Sequence, residues 1–395
     1  MNLSQRAQSI DPFYVMQVAK RAAQLERTLP SDAQRMIYLC IGEPDFSAPE
    51  AVQAAANTTI AKGTTQYTEA LGIFPLRQRI AQWYAQRFGV DIDPSRIVVT
   101  AGASAALQLA CLAFVNPGEE LLMPDPSYPC NRHILTAASA KAVLLPCSPE
   151  QRYQLDAATV RQHWGERTKG VLLASPSNPT GTSLDPREMR QIMETVQERG
   201  GVTMVDEIYL GLSFDERFGQ TALAFSDQVV SINSFSKYFN MTGWRLGWLV
   251  VPLEAVQAVE RLAQNLYICA STVAQHAALA CFESETLAIY EQRRAEFKAR
   301  RDYFIPALRA LGFGVPVMPD GAFYAWADAS MFFERLGVRN SSEFVELVMQ
   351  KAHLVLTPSQ DFSDRDHGIH VRFSTASSMA DLQEAVARLK SLLGH

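Results

Sequence analysis

The chain lacks the usual nucleotide cradles. Neither G-x-G-x-x-G nor G-x-x-x-x-G-K-[ST] occurs in its 395 residues, which excludes the common dinucleotide and nucleoside triphosphate loops. No apolar run approaches the ~20 residues of a membrane-spanning helix; the stretch from Gly247 to Leu253 reads instead as a short buried strand. The N-terminal MNLSQRAQSIDPFYVMQ has no apolar core and no small-residue cleavage site, so no secretory leader is expected. There is no C-x-x-C pair. The six cysteines, Cys40, Cys111, Cys130, Cys147, Cys269 and Cys281, are scattered, mostly among apolar neighbours, and read as reduced buried thiols of a cytoplasmic protein. H-E-x-x-H is missing, and His367 and His370 form a lone pair on a turn without a third ligand, so no metal site is expected. Repeats, low-complexity tracts and long charge blocks are also absent. With 36 Lys+Arg against 41 Asp+Glu the net charge is -5, which gives no general attraction for nucleic acid or anionic lipid. Small molecules are the expected partners, with no nucleic acid and no membrane.

What is present is apolar. Hydrophobic residues make up 48% and charged residues 19% of the chain, enough to offset the ordering entropy of a folded protein. At roughly 100–200 residues per domain the length suggests two or three domains. Short β-rich runs recur, in most cases followed by helical stretches: IVVT (97–100), ELLMP (120–124), KAVLLP (141–146), GVLLAS (170–175), VTMV (202–205), VVSIN (229–233) and GWLVV (247–251). Runs apolar on both faces and spaced for helical crossovers predict a mostly parallel sheet covered on both sides, an α/β architecture. PFYVMQVAKRAAQLE predicts an N-terminal helix and 254–310 long connecting helices; GAFYAWAD and GIHVRFS predict strands of a smaller α+β domain. The expected division is an N-terminal arm and helix over 1–45 packing with the small domain, a large α/β domain over 46–285, and a small C-terminal α+β domain over 286–395.

Polar residues cluster just beyond the carboxyl ends of these runs, at 102–104, 125–128, 175–178, 206–209 and 234–237. Ligands bind at that edge of an open α/β sheet, so these segments are expected to converge on one crevice. Lys237 lies in Ser234-Phe235-Ser236-Lys237-Tyr238-Phe239, a setting that would desolvate an amine and make it an imine-forming nucleophile; a lysine snorkelling from a strand end is the plainer alternative. Arg245, in TGWRLGW, suits a phosphate held in fork geometry or a stack on tryptophan. Asp206 follows a buried strand and is expected to need a cationic partner or to cap the next helix. Arg372 lies in IHVRFS, where alternation puts His370, Arg372 and Ser374 on one face; an edge-strand arginine facing solvent is its plainest reading.

SFSKYFNMTGWRLGW resembles the lysine segment of the class I/II pyridoxal phosphate (PLP) aminotransferases. LCIGEPDFSAPE (39–50), QYTEALGIFPLR (66–77), DPSYP (125–129), SPSNPTG (175–181), VDEIY (205–209) and VRFS (371–374) resemble that family's other blocks in the same order. The resemblance covers residues 10 to 375 and implies the PLP transferase fold type I and a homodimer. It also implies a ping-pong exchange of an amino group between an L-amino acid and a 2-oxo acid, with PLP as cofactor. By the same resemblance Lys237 forms the imine with PLP, Asp206 partners the pyridinium nitrogen, and Tyr209 and Asn178 bond the ring oxygen. Tyr128 stacks on the ring, and Ser234, Arg245 and the backbone amides of Ala103 and Ser104 hold the phosphate. Tyr67 reaches the phosphate of the partner subunit, and Arg372 grips the substrate carboxylate with the loop at Gly42 and with Asn178. Taken alone, Tyr128 also fits a core aromatic in a Pro-Ser-Tyr-Pro turn, and Asn178 a turn residue before proline. Ala103-Ser104, where some aspartate-specific relatives carry a basic residue, argues against a dicarboxylate donor, and Ile10, Phe13 and Tyr14 are candidates to line a pocket for an aliphatic or aromatic side chain. A PLP-dependent C-S lyase on the same fold is the alternative. A PLP-sensing regulator would need a DNA-binding module of ~60–80 residues ahead of the fold, which is not expected here.

Overall fold

The computed structural model describes residues 2–30, 35–365 and 368–394. Its centre is a seven-stranded sheet formed by β1 (Ile97–Thr100), β2 (Glu120–Asp125), β3 (Lys141–Pro146), β4 (Thr168–Ala174), β5 (Val202–Asp206), β6 (Val230–Ser234) and β7 (Gly247–Val250). The spatial order is β1-β7-β6-β5-β4-β2-β3, and only β7 runs against its neighbours. The strands are apolar throughout because both faces are covered. Leu121, Met123, Leu172, Met204, Ile232 and Leu249 enter one core, while Leu122, Val171, Leu173 and Val205 enter the core on the other side, the two-residue alternation of a pleated strand.

A three-stranded antiparallel sheet, in the order β9-β10-β8, is built from β8 (Tyr324–Asp328), β9 (Thr357–Pro358) and β10 (His370–Ser374). Its core takes Phe304, Ile305 and Leu308 from a 27-residue helix, Ser284–Ala310, and also Ile37 and Leu39 from the segment after the N-terminal helix. The N-terminal helix, α1, spans Tyr14–Glu26. Its first turn is fixed at long range, because the N–H groups of Tyr14 and Val15 donate to the buried Asp361 carboxylate at 3.1 and 3.0 Å.

Two features of this frame position the site. Arg372 is on the central strand of the small sheet, opposite both Trp326 and Thr357, and is 1% exposed, so the edge-strand reading is wrong. Arg300 of the long helix is also 1% exposed; it donates to both Asp45 oxygens at 2.8 and 2.9 Å and to the Ala376 carbonyl at 2.7 Å. That bidentate pair ties the Gly42–Phe46 segment to the chain leaving β10.

Candidate active site

The five polar segments do converge. A cavity of about 400 Å³ opens at the carboxyl ends of β1, β2, β4, β5 and β6, and is lined by Gly42, Ala103, Ser104, Tyr128, Asn178, Asp206, Tyr209, Ser234, Lys237, Arg245 and Arg372. Every catalytic, cofactor or carboxylate-binding residue expected from the sequence is in it except Tyr67, which stands 78% exposed in the loop between Glu50–Ala61 and Phe74–Phe88. A second cavity, about 370 Å³, lies around Val202 and Val229 at the opposite strand ends, away from these residues.

Lys237 does not snorkel. It follows β6 into the cavity, where its Nζ donates to the Gly42 carbonyl at 2.6 Å and lies 5.7 Å from the Tyr209 ring centre and 6.0 Å from that of Phe323. Burial pulls its pKa down to about 8; Glu43 opposes this, and the positive charges of Arg372 and Arg245 add to it. Asp206 and Glu207 are both buried, and burial pushes each carboxyl up to about 7. They differ in what meets them. Glu207 accepts from the Thr221 and Ser231 hydroxyls and the Ala222 N–H at 2.8, 2.7 and 2.6 Å, and is fully occupied in structure. Among the described residues Asp206 accepts one bond, from the Ile208 N–H at 3.2 Å, and has no ion pair; Lys237 favours its charge from further away. The bond is a local turn, so the helix-capping reading is not what holds this carboxylate.

The helix after β1, α2 (Gly102–Phe114), points its N-terminus into the cavity. Gly102 has φ +81°, and a Cβ there would lie 2.7 Å from an Arg245 Nη; one on Gly247 would lie 2.7 Å from the Ala103 nitrogen. Both positions must be glycine for the guanidinium and the helix start to come together. Arg245 adopts φ +53°, donates from Nη1 to the Thr242 carbonyl at 3.0 Å, and does not stack on tryptophan. With Ser234 and Ser236 alongside, these groups form an anion cradle.

Arg372 closes the other end. It donates to Asn178 Oδ1 at 2.9 Å, to Thr357 Oγ1 at 3.5 Å and to the Cys40 carbonyl, with its guanidinium 4.6 Å from the Tyr324 ring centre and 4.8 Å from that of Phe362. Among the described residues no carboxylate pairs with it. A buried cation of this kind, on a cavity wall, is built to receive an anion. Tyr128 forms one wall, with Phe13 edge-on at 6.0 Å.

Several lining residues were not expected. Tyr324 places its hydroxyl 2.7 Å from that of Tyr209; the sole hint in GAFYAWAD was a hydroxyl-bearing aromatic in a buried strand, which needs a partner. Val15, Met16, Ala19 and Ile41 join Phe13 on the cavity, whereas Ile10 and Tyr14 do not. These follow from how α1 rolls onto the site, and no motif marks them. His367 lies outside the described residues; among those described no cluster could hold a metal ion.

The sequence profile of the family "Aminotransferase class I and II" matches residues 34–389. This chain belongs to that family. The aminotransferase is 36% identical over 386 residues to a valine–pyruvate aminotransferase of Mycobacterium tuberculosis, covering 97% of each chain. It is 32% identical to a (5-formylfuran-3-yl)methyl phosphate transaminase of Methanocaldococcus jannaschii, covering 99% of each. Among solved structures, an aminotransferase from Mycobacterium tuberculosis superposes with a TM-score of 0.94 at 36% identity, over 100% of this chain and 99% of that one. An aspartate aminotransferase from Thermus thermophilus with maleate gives 0.90 at 28% identity, over 99% and 100%. The fold is therefore that of the fold type I enzymes, and the activity is transfer of an amino group between an amino acid and a 2-oxo acid. No observation favours a C-S lyase.

The burial of Lys237 has a measurable consequence. In the ligand-free aminotransferase, competitive labelling with a small acylating reagent and peptide mapping should show Lys237 becoming reactive through pH about 8, well below exposed lysines, which titrate near ~10.4. A Lys237 profile that coincides with the exposed lysines would refute the depressed pKa.

Proposed function

We propose that this aminotransferase uses PLP, held by Lys237, Asp206, Tyr209, Asn178, Tyr128, Ser234, Arg245 and the amides of Ala103 and Ser104. The observation that carries the reading is one cavity holding a half-buried lysine of lowered pKa, a buried carboxylate with a single hydrogen bond and, among the described residues, a buried arginine that no carboxylate pairs. The donor set fits the group: an anion cradle for a phosphate at one end, and a carboxylate without an ion pair, suited to a protonated ring nitrogen. When bound, PLP supplies an electron sink for the carbanion formed at the substrate Cα. Lys237 would hold the cofactor through its amine, and its Nζ is the base that would move the proton at the substrate Cα. Asp206 would keep the ring nitrogen protonated, Tyr209 and Asn178 would donate to the ring oxygen, and Tyr128 would pack against the ring. Arg372 receives the substrate α-carboxylate in fork geometry, with Asn178 and the loop at Gly42 beside it. Borohydride reduction of the PLP-loaded protein should leave the pyridoxyl label on Lys237; a label on any other lysine would end this reading.

The donor side chain proposed is neutral and apolar. The cavity's cations, Lys237, Arg245 and Arg372, are each committed to another group, Glu43 adds a negative charge, and Phe13, Val15, Met16, Ala19 and Ile41 give the wall an apolar stretch. The name of the Mycobacterium tuberculosis relative, valine–pyruvate aminotransferase, agrees with this. Absorbance change of the PLP form on adding each of the twenty amino acids checks it. Valine and other apolar donors should convert it; response to aspartate and glutamate alone would overturn the assignment.

The reading extends to a cytoplasmic homodimer divided at 1–45, 46–285 and 286–395, with Tyr67 reaching the partner's cofactor phosphate. Free cysteines support a reducing compartment. Supporting the dimer, exposed Tyr67, Phe74, Leu266 and Ile268 lie on two chain segments that Thr272 ties together by a 2.6 Å bond to the Gln66 carbonyl. Lys237→Ala and Tyr67→Ala should each be impaired alone. Mixed after subunit exchange, they should regain activity above both parents, because one site of the mixed dimer is then wild type. Additive activity with exchange confirmed would place Tyr67 outside a shared site.

A further inference from the structure

We infer that Tyr324 is a positioning residue, its hydroxyl setting how strongly Tyr209 holds the cofactor's ring oxygen; this rests on the role proposed for Tyr209. Tyr324 is on β8 of the small sheet, 2% exposed, and three elements of the site meet on it. Its hydroxyl lies 2.7 Å from the Tyr209 hydroxyl, with the two rings near perpendicular at 82°. Its ring carries the Arg372 guanidinium at 4.6 Å. Gly42 packs so closely that a Cβ would lie 2.2 Å from the Tyr324 oxygen, and the Gly42 carbonyl is where the Lys237 amine rests.

A phenol has one proton to give and lone pairs to receive with. In the pair as it stands either oxygen can donate. Once Tyr209 gives its proton to the ring oxygen, the 2.7 Å contact can persist only with Tyr324 as donor. Among the described residues the Tyr324 hydroxyl has no other hydrogen-bond partner, so it is free to take that role. Accepting a hydrogen bond makes Tyr209 a stronger donor in turn, a cooperative effect favoured by the burial of both tyrosines. A better donor on the ring oxygen favours its ionised form. The Tyr324 hydroxyl therefore lowers the pH at which the bound cofactor changes colour, while its ring serves Arg372 separately.

Spectrophotometric pH titration of the PLP-loaded protein separates these functions. Tyr209→Phe should raise the midpoint strongly. Tyr324→Phe should raise it in the same direction by roughly 0.5 unit and lower kcat, yet leave KM for the donor amino acid unchanged, because phenylalanine keeps the ring under Arg372. Incorporating 3-fluorotyrosine at position 324 keeps the shape and strengthens the donor, so the midpoint should fall; this arm stands even where Tyr324→Phe fails to fold. If Tyr209→Phe moves the midpoint while both changes at position 324 leave it in place, the inference is wrong and the role of Tyr209 survives. If no variant moves it, the role of Tyr209 is wrong as well. A Tyr324→Phe protein with a raised KM and an unmoved midpoint has lost only packing, which also overturns the inference.

Discussion

Arg372 is buried, no carboxylate among the described residues pairs with it, and its charge is tolerated because groups from distant parts of the chain surround it. Asn178 comes from the loop after β4, the Cys40 carbonyl from the N-terminal segment, Thr357 from β9 and the Tyr324 ring from β8. One guanidinium thus joins the large sheet, the small sheet and the N-terminal segment around a single cavity. Burying a cation is costly, and the fold meets that cost with hydrogen bonds from neutral acceptors and aromatic faces. What it leaves out is the anion, and that omission makes the position a site instead of a structural ion pair. Arg300 shows the contrast: equally buried, it is paired by the Asp45 and Glu296 carboxylates and donates to the Ala376 carbonyl, and it holds the loop beside the cavity in place.

The same logic separates the two acids of VDEIY. Strand alternation at the end of β5 turns Asp206 to the cavity and Glu207 to the opposite side, where Thr221, Ser231 and a backbone N–H satisfy it. Equal burial therefore has different meanings. Glu207 is a completed piece of structure, whereas the Asp206 carboxylate has, among the described residues, one hydrogen bond and no ion pair. Lys237 is the complement, an amine whose pKa burial, with help from Arg372 and Arg245, pulls down to about 8, so that it gives up its proton far more readily than an exposed lysine.

Much of the architecture is local, and so it was legible in the sequence. Two-sided apolar runs predict the covered, mostly parallel sheet, and the seven runs match its seven strands to within a few residues. The segments following those runs reach one cavity because strands of a parallel sheet end on the same edge. The motif resemblance supplied the site residues that lie within these segments. It could not show that Arg372 sits on a central strand, since IHVRFS alternates the same way on an edge, and strand order depends on pairing with Thr357 and Trp326 far along the chain.

Chain order and residue type alone determined the sheet and the crevice at its carboxyl edge, because alternation and turn residues act over a few positions; they left Lys237, Asp206 and Arg372 open between a structural and a chemical reading. Tertiary structure decided what those groups feel. Tyr324 meets Tyr209 across 115 residues, the Lys237 amine rests on a carbonyl 195 residues away, and Asp361 fixes α1 over the cavity from 347 residues beyond Tyr14. Burial and long-range hydrogen bonds set pKa values and pocket walls, and neither is a property of any short stretch of sequence.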